Sequence, residues 1–388
     1  MAKPLEGLLV LDFATTIAGP YCARLLADMG ADVIKIEAPE GDMMRTRPPL
    51  ASGASRMFGQ LNAGKRSIVM DLKSPAAKPA IRRLIERADV IVENYRPGVM
   101  QRFGLDYDTV KTWNPRLVYC SISGFGQTGP SAALAAYAPV IHAASGYDLA
   151  HLKYQPGRDR PDHCGVYVAD VLAGTYAFGA VMTAVHQRTS TGQGQHIDAS
   201  MLEAMLALPL VEVQGAQFEM PPPPSRPLFG PTATSDGYIQ IAIASERTFV
   251  GAARAAGRLD WLEDPRFKVY MNRRLNWGEL MDELEAWSRT LTTVQCLSAL
   301  AEAGVPATSY RTVDEALADP QLAHREAIRE VRDAGGTFKV VNPPFRMSAA
   351  ETGVGAYAPA LGEHTREVLR EAGATDDEID AITTVASA

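Results

Sequence analysis

A chain of 388 residues, 46% hydrophobic and 21% charged, can bury a large core and exceeds one ordinary compact domain, so two domains are expected. A net charge of −7 with both signs interspersed excludes nucleic acid as the main partner, and no uninterrupted apolar stretch approaches the roughly 20 residues that span a bilayer, so no membrane role is expected. Four well-separated cysteines, Cys22, Cys120, Cys164 and Cys296, form no CxxC pair, and the N-terminus lacks a signal-peptide apolar core, so the expectation is a reduced, cytoplasmic protein.

Residues 9–13, 33–36, 67–70, 90–92 and 117–122 are short apolar, mostly β-branched runs and read as strands; residues 21–29 and 75–87 between them are amphipathic and read as helices. This alternation predicts an α/β fold whose large domain has a mainly parallel sheet covered by helices, with ligands at the carboxyl ends of the strands. Asn94, Tyr95 and Arg96 follow a strand at that edge, where an aromatic ring beside an amide and a cation suits an adenine and its phosphates. Gly124, Gly126 and Gly129 follow the next strand, with Gly146 beyond. Turn formation explains any one of them, while the cluster suggests backbone amides around a developing oxyanion. His142 and His151, in the loop that follows, are placed either to touch a substrate or to be hydrogen-bonded inside the fold.

A long helix is predicted over residues 170–187, then a turn at Gly192 and Gly194 and another helix over 201–210. Asp170 stands in an apolar run with no Lys or Arg beside it. An unpaired carboxylate is costly to bury, so it is either an N-cap for the helix that follows or a group kept for chemistry. The four prolines 221–224 mark a break in composition. The predicted organisation is therefore residues 1–205 as the N-terminal part of the large α/β domain, 206–228 as a Pro-rich linker, 229–325 as a smaller α+β domain and 326–388 as a segment returning to the large domain. No dinucleotide fingerprint, phosphate-binding Walker loop, HExxH helix or GxSxG elbow occurs, and the seven histidines show no metal-ligand spacing, so no metal is expected.

Taken together, Ala18, Gly19 and Pro20, residues 30–37, residues 62–67 and 88–98, the glycines of 123–130, Ser145 and Gly146, Asp170 with Ala173 and Gly174, residues 191–198, 264–267, 303–306 and 361–365 resemble, in order, the class III coenzyme A transferases. That family includes formyl-CoA and carnitine CoA-transferases and, as a branch, the α-methylacyl-CoA racemases. The resemblance implies a large domain built from both chain ends, a small domain between, and two subunits interlinked like rings. It implies no tightly bound cofactor, with acyl-CoA and a small carboxylic acid as substrates and Asp170 as the nucleophile. It also implies CoA contacts at Thr16, Ile17, Ala38, Leu72, Lys73, Asn94, Tyr95, Arg102 and Phe103. Two positions depart from formyl-CoA transferase: Ala38 stands where that enzyme carries an Arg, and its consecutive-glycine loop has no match near Ser245 and Arg247, which makes oxalate a poor acceptor.

Two rival functions share these residues. A racemase would use Asp170 as a base opposite a second acid-base group, but Tyr137 and Ala138 stand where that branch carries a His-Asp pair, and an ordinary phenol, with a pKa near 10, is a poor base. A non-catalytic acyl-CoA-binding protein would have little use for Asp170. For the acid pocket, the sequence offers Tyr137, His142, Tyr147, Arg158 and Arg160. Either arginine is expected to clamp the far carboxylate of a diacid, or else to be a solvated surface charge.

Overall fold

The computed structural model describes residues 2–155, 157–161, 164–220 and 226–386. The chain divides into two compact units, one of Met1–Leu152, Arg160–Val213 and Pro320–Ala388, the other of Lys153–Asp159 and Gln214–Asp319. The return to the larger unit thus begins at Pro320, and the expected linker region divides at Val213; the four prolines 221–224 lie outside the described residues.

Six strands of the larger unit form one parallel sheet: β1 (Leu9–Asp12), β2 (Asp32–Glu37), β3 (Arg66–Val69), β4 (Val90–Glu93), β5 (Val118–Ser123) and β6 (His196–Ser200), in the spatial order β3-β2-β1-β4-β5-β6. Its helices include α1 (Ala18–Asp28), α2 (Lys78–Arg87), α3 (Val99–Phe103), α4 (Ala138–Ala144), α5 (Tyr147–Leu152), α6 (Val168–Thr191) and α7 (Met201–Leu206). Both faces of the sheet are covered, which is why its central strands read as nearly continuous apolar runs. Val10, Val90, Val118 and Cys120 pack with α1 and α6 on one face, while Leu11, Ile91 and Tyr119 pack with α2 on the other.

The last strand, β6, escaped sequence reading because His196, Asp198 and Ser200 give it little apolar character. Its pairing with β5, from Tyr119 opposite His196 to Ser123 opposite Ser200, makes it a strand. The turn before it requires glycine at Gly194, where a Cβ would stand 2.0 Å from the Leu117 carbonyl oxygen.

The smaller unit carries β7 (Pro231–Ala233), β8 (Tyr238–Ile241), α8 (Glu246–Ala255), α9 (Trp277–Ser288), α10 (Thr293–Glu302) and β9 (Ala307–Ser309). Its strands pair antiparallel in the order β9-β8-β7, and its core holds Ile239, Phe249, Trp261, Phe267, Trp277 and Leu280. Reciprocal capping boxes, Ser245 with Thr248 and Thr292 with Gln295, start α8 and α10. Back in the larger unit come an antiparallel hairpin, β10 (Ile328–Asp333) and β11 (Gly336–Val341), and two helices, α11 (Thr365–Glu371) and α12 (Asp376–Ala386). Along the edge of β3, the Ser67 amide donates to His364 Nδ1 and the Val69 amide to Thr365 Oγ1, so the returning chain occupies backbone donors that an exposed edge would present to a second strand.

The chain leaves β1 to build β2 and β3 on one side, then returns to build β4, β5 and β6 on the other. Order therefore reverses between β1 and β4. The loops after these two strands diverge there and leave a crevice at the carboxyl end of the sheet.

Helix α6 departs from one expectation. At 24 residues, with Asp170 and Arg188 as its only Asp, Glu, Lys or Arg side chains, it is long and apolar enough to cross a bilayer by length and composition. In the larger unit it instead buries the stripe Ala169, Ala173, Ala177, Val181 and Ala184, and Arg188 pairs with Asp89 at 2.8 Å.

Candidate active site

Asp170 is the third residue of α6, not its cap: the N-cap position is Tyr167, which makes no capping side-chain bond. The Asp170 carboxylate turns instead to the start of α1, where the Ala18 amide favours its charged form. Gly174, one turn further along α6, allows the two helices to come this close. A Cβ there would lie 2.6 Å from the Ala18 carbonyl oxygen and 3.2 Å from Tyr21 Cδ1. Burial pushes the Asp170 pKa up from 3.8 to about 6, with the Ala18 amide pulling against it; no charged side chain contributes to the shift.

Asp170 opens into a cavity of about 210 Å³ at the crevice between β1 and β4, together with Thr15, Thr16, Asn94, Tyr95 and Tyr137. Asn94 holds the loop after β1 in both directions, accepting the Thr15 amide at 2.9 Å and donating to the Thr15 carbonyl at 2.8 Å. Thr16 has a φ of 71°, a left-handed conformation unusual for a β-branched residue, and its amide points at the Asp42 carboxylate. Arg96 is the one cation lining this cavity among the described residues. Gly124 also lines it, and a Cβ there would meet Ala136 Cβ at 2.3 Å. Gly126, Gly129 and Gly146 adopt left-handed φ values of 87°, 95° and 78° and line no part of it, so these three serve to turn the chain.

A second cavity of about 160 Å³ is lined by Ala38, Leu72, Lys73, Tyr95 and Phe103, so Tyr95 borders both. The expected CoA contacts thus fall largely into two neighbouring hollows. Ile17 and Arg102 line neither: the Ile17 side chain is buried with Met44, Phe58 and Leu61, and Arg102 is exposed on α3. Of the expected acid-pocket residues, only Tyr137 faces Asp170's cavity, with 62% of its surface exposed. His142 is buried, and its Nε2 accepts the Ala169 amide at 3.2 Å, which places it inside the fold rather than against a substrate. Tyr147 lies on α5 with its ring 5.6 Å from that of His142. Arg160 is exposed and lines neither cavity, and Arg158 belongs to the smaller unit.

Sequence reading missed the ions beneath the crevice. Lys35 pairs with Asp42 at 3.0 Å and Lys65 with Asp12 at 2.7 Å, all four side chains fully buried. Lys35 Nζ also donates to the Ala14 carbonyl and Lys65 Nζ to that of Pro20, so both lysines brace the backbone flanking Thr15 and Thr16. Burial pulls the Lys65 pKa down to about 8. The available signal was Lys35 itself, a cation in the middle of a strand with apolar neighbours on both sides.

A parallel sheet with its crevice at the order reversal and a half-buried carboxylate on a helix start defines an α/β enzyme site. The family model described as CoA-transferase family III matches residues 5–365, and the chain belongs to that family: it is a class III CoA-transferase. It is 34% identical over 390 residues to the succinyl-CoA–D-citramalate CoA-transferase of Chloroflexus aurantiacus, covering 97% of this chain and 96% of that one. It is 33% identical to the succinate–glutarate CoA-transferase of Agrobacterium fabrum, with 95% of each chain covered. Among solved structures, a CaiB/BaiF family protein from Brucella suis superimposes with a TM-score of 0.84 at 34% identity, over 96% of this chain and all of that one.

Proposed function

We propose that this enzyme moves CoA from a dicarboxylyl-CoA donor of the succinyl-CoA type to a free carboxylic acid, through covalent intermediates on Asp170. The observation that carries this reading is a half-buried carboxylate with no counter-cation, beside the Ala18 amide at the wall of a cavity. With a pKa near 6 it is mostly ionised at neutral pH, yet less stabilised than a solvated carboxylate.

Asp170 attacks the thioester carbonyl: a C–O bond forms, the C–S bond breaks, and CoA leaves as the thiolate. The thiolate then attacks the aspartyl carbonyl of the mixed anhydride, giving an aspartyl-CoA thioester and releasing the donor acid as its carboxylate. The acceptor carboxylate repeats these two steps in reverse order, so no proton is consumed or released. The Ala18 amide, beside the carboxyl group, would donate to an oxygen on the aspartyl carbon as charge develops there. Arg96 offers a positive charge to an incoming carboxylate. The choice of a dicarboxylic donor is supported by the similar proteins named above, which act on succinyl-CoA or succinate. We also propose that a second copy of the chain covers the outer face of α6, where Val171 and Tyr176 are exposed apolar side chains.

The test is a reaction in deuterated water with succinyl-CoA and a panel of carboxylic acids, read by mass spectrometry of the thioesters and of the Asp170 peptide. A new acyl-CoA free of α-deuterium, with CoA attached to that peptide in trapped enzyme, is the expected result. Deuterium at the α-carbon without acid exchange would replace the transferase reading by a racemase using Asp170 as its base. Binding with neither product would leave an acyl-CoA-binding protein.

A further inference from the structure

Asp170 does not cap its own helix and Tyr167 does not cap it either, so the first amides of α6 need acceptors from elsewhere. One comes from α4. His142, 1% exposed, accepts the amide of Ala169, itself fully buried and adjacent to Asp170, at Nε2 over 3.2 Å. A ring nitrogen that accepts carries no proton, so this imidazole is neutral with its hydrogen on Nδ1. Nδ1 is buried and has no hydrogen-bond partner among the described residues. Hydrogen-bond accounting is therefore close to neutral: one buried donor is satisfied and another left without an acceptor. Stability alone gives little reason for this ring; control over the start of α6 gives one.

We propose that His142 is a positioning residue for Asp170: its neutral imidazole holds the Ala169 amide and so fixes the first turn of α6, keeping the carboxylate at the cavity wall beside the start of α1. Two supports from different directions then bracket Asp170. Gly174 sets the distance between α6 and α1 from the side, and His142 sets the helix start from α4. Protonating His142 would turn Nε2 into a donor facing a donor, and the support would be lost. The ionisable groups on the elements packed against α4 are Tyr147, Asp148 and His151 on α5, Asp170, Tyr176, His186 and Arg188 on α6, and Glu203 on α7. Burial favours the neutral ring, and of these groups Asp148 opposes it.

The inference rests on Asp170 as the nucleophile, so three variants of the full-length enzyme are assayed together. His142→Leu removes the acceptor, and is expected to lower kcat by about tenfold or more while the KM for acyl-CoA stays within about twofold. His142→Gln supplies a side-chain carbonyl in its place and is expected to recover kcat to within about threefold of the parent. In the parent enzyme the acidic limb of kcat/KM should steepen toward two protons, Asp170 and His142, and in His142→Gln it should fall to one. Equal activity of the Leu and Gln variants, or a loss confined to KM, overturns the positioning role. If the Leu variant does not fold, an unchanged acidic limb in the Gln variant overturns it. Retained acid exchange in Asp170→Asn sinks the nucleophile reading whatever His142 does; an inactive Asp170→Asn beside an unimpaired His142→Leu sinks only the positioning role.

Discussion

At the scale of single residues, the crevice treats its charges in two opposite ways. Lys35, Lys65, Asp12 and Asp42 are buried as pairs, so each ion has a counter-ion and a fixed place. Asp170 is left beside one amide with no cation, which raises its pKa and makes its ionised form costly to the fold. Since its folded pKa is raised from 3.8 to about 6, the native state holds this proton more tightly than the unfolded chain. Its contribution is then most favourable at low pH and is lost as pH rises to about 6. Asp170→Asn should therefore abolish acid exchange yet raise stability by about 1–2 kcal/mol above pH 6, with the gain shrinking toward pH 4. Denaturant melts of both proteins at pH 4 and pH 8 check this, and equal gains at both pH values would contradict it. The kcat/KM of the parent should likewise fall below about pH 6 as Asp170 takes up its proton.

At the scale of elements, the contact between α1 and α6 decides where the carboxylate points. Helix periodicity in the apolar run after Asp170 was readable. The start of the helix was not, because an aspartate before small apolar residues looks like a cap, and only the neighbouring α1 shows that its carboxylate is used elsewhere. Gly174 enforces that contact. Gly174→Val should push the helices apart, since the added Cβ would lie 2.6 Å from a backbone oxygen that cannot rotate away. A loss of roughly 1–3 kcal/mol in stability is expected, with kcat falling more than the KM for acyl-CoA. A fully active and equally stable Gly174→Val would show that the close approach does not matter to the site. Strand β6 is the complementary case: its polar residues hid it, and pairing with β5 makes it part of the sheet.

At the scale of the whole molecule, α6 presents two faces. The face toward α1 and the sheet is lined with small buried residues, and the opposite face carries exposed Val171 and Tyr176. Large apolar side chains exposed on a helix suit a surface for another protein, and a second copy of the chain is the occupant proposed above. Light scattering behind size-exclusion chromatography should report a dimer, and Tyr176→Glu should shift it toward monomer by placing a charge in that face. A monomeric parent enzyme, or a dimer indifferent to Tyr176→Glu, would remove α6 from the interface.

The alternation of apolar runs and amphipathic stretches determined the parallel α/β sheet of the larger unit, because burial on both faces writes itself directly into each strand. The order of blocks around Asn94, Gly124 and Asp170 carried the resemblance to the family whose model matches residues 5–365. What only the tertiary structure decided was partnership. That Asp170 lies against Ala18, that His142 supports Ala169 from inside the fold, and that Lys65 finds Asp12 all depend on segments distant in sequence. Such contacts leave no periodic trace. They follow from the reversal of strand order between β1 and β4 and from the close approach of two helices, which local propensity does not specify.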